Sequence, residues 1–534
     1  MKPVSGIGST NTPTGTSSAS SAANADSSKS GDKGTGAPSF TGGVAVGLMT
    51  IDGQQVTRIS FRPEVSVGPL GIGLDLELFV NSEGKFLSKG WQFDTKDETL
   101  NSLYRKLYYL RWNQPGDRFY VRVGALEGIT MDAAGLVTSN YGNVANYPDQ
   151  KMLGTDLQFN NWLDPINASI EVVNNSYEDW NHNGGVLGGK LSITPAAITG
   201  IPLLSKLRIG GMGMRDFNQY AAIPDKDNDH CPDMVDDIKG DGCKYLKSFV
   251  DPDSLEYYFA NKPDSIQAWL SRANDQRDSV DQSITNRFGK ADDFTLVALD
   301  YKLPIIETEL LNLGIYGEYS RPWLDKDPYH LNKSWAFVPV GVALKVWKLD
   351  MGLEYRRING AFQVGHFDAG YEMERVRYID GEYLTKEQVA WNNSTATGIK
   401  QGIYGRAGMD FFGMATATGT YSHLISKGQD PDRAYTGKLA LGETVTRLVP
   451  KIALAEIFYN KDHVGTDYYL HTNDKWAHDS FFEPSIYTTY GYRVGMNLGG
   501  GMTLVVGKYT SYTHDTEGKL QSQNNFIAET VIAF

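Results

Sequence analysis

The sequence predicts an all-β fold, a transmembrane antiparallel up-and-down barrel of about 20 strands, with 18 as the alternative. Three observations support this prediction. Apolar and polar residues alternate in short segments from Phe40 onward, short and long connections take turns along the chain, and no apolar run approaches the ~18 residues that a spanning helix requires. The predicted strands have roughly ten residues each, which suits a tilted strand that crosses a bilayer.

The alternation separates two faces. In Gly73–Val80, Leu74, Leu76 and Leu78 share one face and Asp75 and Glu77 share the other, as a period of two residues requires. Because barrel interiors are polar, we predict that the charged face lines the lumen. The predicted lumen-facing residues are Asp75, Glu77, Arg118, Arg122, Glu318, Asp350, Glu354, Arg356 and Arg406. They carry both signs of charge, which predicts no strong ion selectivity.

The connections differ in length in a regular way. Tight links occur at 68–71, 113–117, 164–167, 347–350, 411–413 and 497–501, and long polar stretches occur at 81–101, 126–150, 215–292, 361–397 and 461–484. Short periplasmic turns that alternate with long extracellular loops are typical of transmembrane barrels. A barrel of this size has a lumen too wide for its own side chains to fill, so we expect the loops at 126–150, 215–292 and 361–397 to enter it.

The chain divides into two parts by composition. Residues 1–39 are nearly all Ser, Thr, Gly, Ala, Asn, Asp and Lys, which predicts a disordered periplasmic tail that offers a binding segment to a periplasmic or envelope protein. Residues 40–534 form the predicted barrel, with 215–292 as one long extracellular loop. The net charge of −13 argues against a nucleic-acid partner, because phosphate binding needs clustered Lys and Arg.

The last ten residues, Asn525–Phe534, read NFIAETVIAF and place Phe526, Ala528, Thr530, Ile532 and Phe534 on one face. This segment resembles the closing strand of Gram-negative outer-membrane β-barrel proteins of the porin and transporter type. The resemblance implies an outer-membrane location in contact with lipid. It also implies that Phe526, Ile532 and Phe534 belong to the signal that the barrel-assembly machinery reads.

The longest predicted loop contains the acidic motif DKDNDHCPDMVDD at Asp225–Asp237. Its carboxylates are the oxygen ligands that Ca²⁺ prefers, and the run resembles the calcium-binding repeat of thrombospondin type 3, although His230 stands where a Gly is expected. The predicted calcium ligands are Asp225, Asp227, Asp229, Asp233, Asp236 and Asp237. The alternative is a solvated acidic loop without an ion.

Two cysteines flank the second half of this motif. An oxidising compartment permits a disulfide between Cys231 and Cys243, which would restrict the loop. The alternative is a pair of free thiols, although reactive cysteines prefer electropositive surroundings and these have acidic neighbours.

No sequence motif of a hydrolase, a P-loop protein or a dinucleotide-binding enzyme is present in its required context, which predicts no catalysis. Aromatic residues near the strand ends suit membrane-interface girdles, namely Tyr104, Tyr108, Tyr109, Trp112, Trp335, Trp347, Tyr487 and Tyr490. The sequence therefore predicts a porin-like or transport channel for small solutes, or the barrel subunit of an envelope complex. The alternatives are a secreted all-β carbohydrate-binding protein and a calcium-dependent surface adhesin that acts through the 215–292 loop.

Overall fold

The computed structural model describes residues 39–533 with gaps. The gaps are 52–53, 82, 88–90, 92–98, 100–101, 103–105, 145–151, 178–183, 223–292, 326, 328–329, 380–381, 394–397, 429–430, 462–466, 471–474, 479–481, 486, 500–501 and 515–519. Residues 1–38 of the predicted tail, the acidic motif, both cysteines and Phe534 lie outside the described residues, whereas Ser39 belongs to the first strand. The predictions on them therefore stay predictions.

A single antiparallel sheet dominates the described residues. Its strands are β1 (Ser39–Ile51), β2 (Gln54–Val67), β3 (Leu70–Leu74 continued by Leu76–Asn81), β4 (Leu107–Trp112), β5 (Phe119–Gly124), β6 (Gly154–Phe159), β7 (Ser169–Asn174), β8 (Val186–Ile193), β9 (Arg208–Asp216), β10 (Phe294–Glu307), β11 (Leu311–Pro322), β12 (Trp335–Val346), β13 (Leu349–Asn359), β14 (Ile399–Asp410), β15 (Ala415–Ile425), β16 (Asp432–Leu441), β17 (Ile452–Lys461), β18 (Thr488–Gly499), β19 (Met502–His514) and β20 (Leu520–Ala533).

The sheet closes into a barrel. Each strand pairs with its neighbours in chain order, and β1 pairs with β20, for example Val44 with Ile532. The two segments of β3 form one strand interrupted at Asp75, and the two-residue strand Phe86–Leu87 forms a short antiparallel hairpin with the loop end of β3, beyond the residues that pair with β4. The 22 strands of the sheet therefore occupy 20 positions in the ring as far as the structure describes it. The all-β barrel prediction and its strand number are confirmed.

Short and long connections lie at opposite ends of the barrel. We call the ends the turn end, where β1 begins and β20 ends, and the loop end. Every predicted tight link lies at the turn end, where no connection is longer than that between Ile193 and Arg208. The described strand ends that flank each predicted long stretch lie at the loop end. The turns form where the sequence allows a left-handed backbone, as at Gly68 with φ of 57° and Asn113 with φ of 61°.

Few helices with described bounds accompany the sheet in the part of the chain that the structure describes. They are the α-helices α1 (Tyr371–Glu374), α2 (Lys386–Asn393) and α3 (Glu443–Leu448) and the 3₁₀ turns Pro195–Thr199, Leu204–Lys206, Gln219–Ala222 and Leu331–Lys333. Small two-stranded pairs join Thr138–Ser139 to Phe367–Asp368, Val376–Ile379 to Glu382–Thr385, and Asp467–Leu470 to Lys475–His478. None of the described helices has the length and apolarity that a membrane-spanning helix requires.

The two faces of the wall differ in chemistry, as the period of two predicts. In β11, Tyr316, Glu318 and Ser320 are buried on the inner face, whereas Tyr319 is 38% exposed on the outer face. The four strands from Leu107 to Asn174 have six residues each, fewer than the predicted ten. They are short because the chain leaves the wall after Gly124 and folds inward.

Candidate functional site

Two loop-end segments fold back into the barrel. The first is 125–144, and the second is 360–393, of which 380–381 lie outside the described residues. We call the described residues of both segments, 125–144, 360–379 and 382–393, the luminal insert. It begins at two glycines whose backbone other residues rarely adopt, Gly124 with φ of 125° and Gly360 with φ of 67°. A Cβ atom at Gly124 would lie 2.3 Å from the carbonyl oxygen of Tyr108. Glycine at these positions therefore lets the chain turn from the wall into the lumen.

The luminal insert and the inner wall share one apolar core. Leu136, Val137, Tyr141, Phe367 and Tyr371 of the insert have no exposed surface. They belong to a cluster with inward-facing wall residues, namely Val173, Val186, Met212, Met214, Phe294, Leu296, Ala298, Ala336, Val338, Ile358 and Leu424. Because a fully buried large apolar side chain contributes about 1.5–3 kcal/mol, this core holds the insert against the wall from β7 to β15.

Backbone hydrogen bonds join the two parts of the insert. The N–H of Gly365 donates to the carbonyl of Leu136 at 2.8 Å, and the N–H of Phe367 donates to the carbonyl of Val137 at 3.0 Å. The side chain of Asp132 accepts from the N–H of Val137 at 2.7 Å. The two segments thus satisfy each other's polar backbone groups inside the barrel, as burial requires.

A buried cluster of charged side chains connects the insert to the loop end of β9. The Arg375 guanidinium donates to Asp216 through Nε and Nη2, the latter at 2.8 Å, and approaches Glu372 at 3.4 Å. The hydroxyl of Tyr371 also donates to Asp216 at 2.8 Å, and that of Tyr141 donates to Glu372 at 2.8 Å. None of the three charged side chains has exposed surface. We call these five residues the Arg375 cluster.

A second polar group lies beside the cluster. The ammonium of Lys386 donates to the carbonyl of His366 at 2.7 Å and lies 3.1 Å from Glu374 and 3.4 Å from Asp368. Burial and the neighbouring Lys386 charge hold the pKa of His366 well below its ordinary value. Burial raises the pKa of Asp368, partly offset by Lys386. The imidazole Nε2 of His366 is buried and has no hydrogen-bond partner among the described residues.

The inner wall also binds the insert directly. Glu318 accepts from the N–H of Ala134 at 2.7 Å, and Lys190 donates to the carbonyl of Met131 at 2.6 Å while it forms an ion pair with Asp300. A Cβ atom at Gly210 would lie 2.4 Å from Asp300 Oδ1. Glycine at 210 therefore leaves room for the Lys190–Asp300 pair.

The structure brings several predicted lumen residues into close pairs. Asp75 accepts from Arg62 at 3.2 Å, and Glu77 accepts from Arg58 Nε at 2.6 Å. Glu354 accepts from Tyr316 at 2.6 Å and from Arg356 at 2.7 Å.

Four further predicted residues are placed differently. Arg122 donates to the carbonyl of Ala125 at 2.7 Å, where the insert begins. Arg118 and Asp350 are exposed at the turn end, away from the paired groups, and Arg406 is exposed on the inner face of β14. Tyr108 and Tyr109, which the sequence assigned to a girdle, are instead buried, and the Tyr109 hydroxyl donates to Glu64.

One side of the lumen is not covered by the insert. On the inner face of β14, β15 and β16 the exposed residues are Arg406, Thr416, Thr418, Thr436 and Lys438. Lys438 forms an ion pair with Glu456 at 2.8 Å, and its side chain is still 48% exposed. We call this surface the open wall. It is polar and solvent-accessible, in contrast to the apolar inner face that binds the insert.

Sequence reasoning did not find the Arg375 cluster or His366. The wall and insert residues of the cluster come from segments more than 150 residues apart, as in the contact between Asp216 and Arg375, and His366 packs against Phe294 of β10, so local spacing carries no signal of either. The glycines that precede each inserted segment are the one local feature that marks the turn inward. No group of three or more metal-ligating side chains is assembled within the described ranges.

The fold and the interior define the class of protein, a closed antiparallel β-barrel whose lumen is partly filled by its own loops. No protein-family model matches the sequence, and no curated protein matches it significantly.

Among solved structures, the chain is similar to OccK5 (OpdH) of Pseudomonas aeruginosa, with 10% identity, a TM-score of 0.33, and coverage of 93% of this chain and 98% of that one. It is similar to OccAB4 of Acinetobacter baumannii, with 10% identity, a TM-score of 0.31, and 93% and 97% coverage. It is also similar to Wzi, an outer membrane carbohydrate-binding β-barrel involved in group 1 capsule assembly in Escherichia coli, with 11% identity, a TM-score of 0.31, and 93% and 83% coverage. These values are too low to transfer a function or a site.

Proposed function

We propose that this chain is an integral outer-membrane barrel of a Gram-negative bacterium and acts as a porin-like channel for small polar solutes, without catalysis. The observation that carries the proposal is the combination of a closed ring, an apolar outer surface and a polar open wall inside. Lipid would contact the outer surface, and solutes would pass along the open wall. Assembly by the barrel-assembly machinery and a partner for the residue 1–39 tail remain part of the proposal.

The outer surface supports a membrane location. Large apolar side chains are exposed on the outer face of strand after strand, among them Leu110, Leu191, Ile209, Leu299, Val342, Leu353, Ile403, Leu439, Ile457, Met496 and Phe526. A soluble monomer rarely exposes a contiguous apolar surface that encircles it. A transmembrane barrel requires such a band.

Aromatic residues flank this band at both ends. At the loop end, Tyr435 stacks on Tyr459 with ring centroids 5.6 Å apart, and Tyr459 stacks on Tyr490 at 6.1 Å. At the turn end, Trp347 packs against Phe412 at 5.1 Å. Aromatic rings with one wet and one apolar edge prefer the two membrane interfaces, so these girdles favour a bilayer-spanning barrel over the secreted carbohydrate-binding alternative.

The open wall predicts a measurable but weak preference for anions. Arg406 and Lys438 are its exposed charges, and Glu456 is already bound by Arg493 at 2.5 Å. We expect Arg406→Gln and Lys438→Gln each to shift the anion-to-cation permeability ratio toward cations by about a factor of two, because a fixed charge changes the local ion concentration. The measurement is the reversal potential of full-length protein, purified from outer membranes, in a planar bilayer under a salt gradient.

Arg357→Gln is the matched control for these two variants. Arg357 lies on the outer face, with its guanidinium 6.0 Å from the Trp335 ring centroid, so the same loss of charge should leave the reversal potential unchanged. A protein that shows heat-modifiable migration on a gel but no conductance would contradict the channel. The barrel subunit of an envelope complex would then be the remaining function. Absence from outer-membrane fractions would overturn the membrane location.

We also propose that the acidic motif in the 215–292 loop binds calcium and that Cys231 and Cys243 form a disulfide. The support is the sequence alone. Calcium should slow proteolysis within 215–292 by about ten-fold relative to chelated protein, because a bound ion orders its ligands. Asp227→Asn with Asp229→Asn should abolish the protection; equal cleavage with and without calcium in the wild type would contradict the site.

A further inference from the structure

The outer face of β7 to β11 carries an apolar groove. It has a volume of about 680 Å³, and Gly189, Gly211 and Gly213 form its floor. The strand register places Gly189 directly opposite Gly213 and Gly211 opposite Leu191. Leu191, Leu299 and Trp323 stand at its sides and are 53%, 66% and 64% exposed. The groove is therefore a slot in the lipid-facing surface, open along its length.

Internal packing does not require glycine on the floor of this groove. A Cβ atom at Gly189 or Gly213 would meet its nearest atom at 3.9 or 3.8 Å, which is ordinary contact, and neither residue has a positive φ. By contrast, a Cβ atom at the neighbouring inward-facing Gly210 would clash at 2.4 Å. Because Gly189 and Gly213 have no side chains, they leave an empty volume on the outer surface of the barrel.

An arginine without a carboxylate partner stands at the edge of the groove. Arg321 lies opposite Val297, which lies opposite Gly213, so the three share one row of the sheet. Its Nε and Nη2 atoms donate to the carbonyls of Pro322 at 3.2 Å and Asn332 at 3.3 Å. Among the described residues it forms no ion pair, whereas Arg215 in the next row binds Asp293 at 2.8 Å.

Along the barrel axis, Arg321 lies at the level expected for a membrane interface. It lies near the loop-end limit of β11, between the exposed aromatic side chains of Tyr319 and Trp323. The groove extends from it toward the middle of the band, where Leu299 and Leu191 are exposed. An apolar slot that begins at a cation in the headgroup region is complementary to one class of molecule, a lipid with an anionic phosphate headgroup.

We propose that this groove binds one such lipid, with an acyl chain over Gly189, Gly211 and Gly213 and the phosphate on Arg321. The proposal rests on the membrane location proposed above. A second copy of the chain fits the site less well, because no outward-facing strand position in the described part of the chain carries a carboxylate that would neutralise Arg321. The lipid supplies both the apolar chain and the charge.

The test is native mass spectrometry of the full-length protein in detergent, titrated with dioleoylphosphatidylglycerol and, separately, with dioleoylphosphatidylcholine. We expect the wild type to bind phosphatidylglycerol about ten-fold more tightly than phosphatidylcholine, because the choline cation of phosphatidylcholine offsets the phosphate charge that Arg321 would attract. Gly213→Leu should weaken binding of both lipids because it fills the slot. Arg321→Gln should remove only the preference for phosphatidylglycerol.

Gly437→Leu is the matched control. Gly437 also faces outward from a strand with no atom within 4 Å of an added Cβ, but it lies on β16, away from the groove. Its variant should bind lipid as the wild type does. Equal retention of both lipids by all four proteins would overturn the proposal, as would a dimer that Gly213→Leu abolishes, because a second copy would then occupy the groove.

The failure of this proposal is distinguishable from failure of the proposed function. If the protein shows heat-modifiable migration and conducts ions but retains no lipid, only the lipid site is contradicted. Protein that is absent from the outer membrane would overturn both.

Discussion

Replacement of Arg375 by methionine is expected to release the luminal insert and to raise the single-channel conductance. Arg375 is the cation of the Arg375 cluster and bridges Asp216 on the wall to Glu372 on the insert, with no exposed surface on any of the three side chains. Removing one partner of a buried ion pair costs about 3–5 kcal/mol, because the remaining charge is left in a low-dielectric site. The insert is the part that can move away, since the closed wall keeps its own hydrogen bonds.

The measurement combines planar-bilayer conductance with limited proteolysis of residues 125–144 and 360–393. Arg375→Met should conduct more and should be cleaved faster in both segments. Arg447→Gln is the control: Arg447 pairs with Glu443 at the surface, both side chains are more than half exposed, and such a pair contributes about 0–1 kcal/mol.

A double variant identifies the cause of the Arg375 effect. Asp216→Asn combined with Arg375→Met removes one of the two carboxylates that the single variant leaves without their cation, Asp216 and Glu372, so the double variant should recover part of the protease resistance that the single variant loses. A single variant with wild-type conductance and wild-type cleavage would show that the apolar core alone holds the insert.

The barrel was predictable because its signals are local. The period of two in a segment such as Gly73–Val80 determines which side chains face outward from the barrel, and a turn residue such as Asn113 determines where a strand ends. Closure follows from the same pattern. An open sheet leaves two edge strands with unpaired backbone groups, and a sheet with an apolar outer face and a polar inner face avoids these edges by closing into a ring. Even the strand number follows from counting connections.

The interior was only partly predictable. The sequence indicated that the loops at 126–150, 215–292 and 361–397 enter the lumen. The described parts of the first and third, 125–144, 360–379 and 382–393, pack against the inner wall, whereas 223–292 lie outside the described residues. The sequence carried no sign of which residues hold the insert there, because Tyr141 and Glu372 are 231 positions apart and meet only in the folded chain. The assignment of Tyr109 to a girdle failed for a related reason: Tyr109 faces inward, where the absence of a side chain at Gly73 leaves room for its ring.

The second large effect is expected from pH, through His366. Its ring packs against Phe294, with centroids 4.4 Å apart, and against Phe367 at 5.1 Å, in the region where the insert meets β10. Its Nδ1 lies 3.2 Å from Gln363 Oε1. The charged groups nearby are Lys386, Asp368, Glu374 and Glu387. Lys386 contacts Asp368, Glu374 and the His366 carbonyl, and the buried Glu387 lines the same small cavity as His366.

The sign follows from the direction of the pKa shift. Because the pKa of His366 is lowered in the buried state, burial favours the neutral imidazole, and its contribution to holding the insert is complete above the ordinary pKa of about 6.5. It decreases as the pH falls below that value, by up to about 1.4 kcal/mol per pH unit until the lowered pKa is reached. The raised pKa of Asp368 acts in the opposite direction, because protonation removes the cost of burying its charge as the pH falls through that raised pKa, so Asp368 offsets part of the His366 effect.

Acidification from pH 7.5 to pH 5 should therefore loosen the insert and increase both conductance and cleavage within 360–393. His366→Phe keeps an aromatic ring in the core and removes the titrating group, so this variant should show little change over the same range. His423→Phe serves as the control, because His423 lies on the outer face beside Tyr421, at 3.2 Å, and should leave the wild-type pH response intact. If His366→Phe and the wild type respond to acid equally, another group controls the insert, and Asp216 and Glu372 of the Arg375 cluster become the next residues to neutralise.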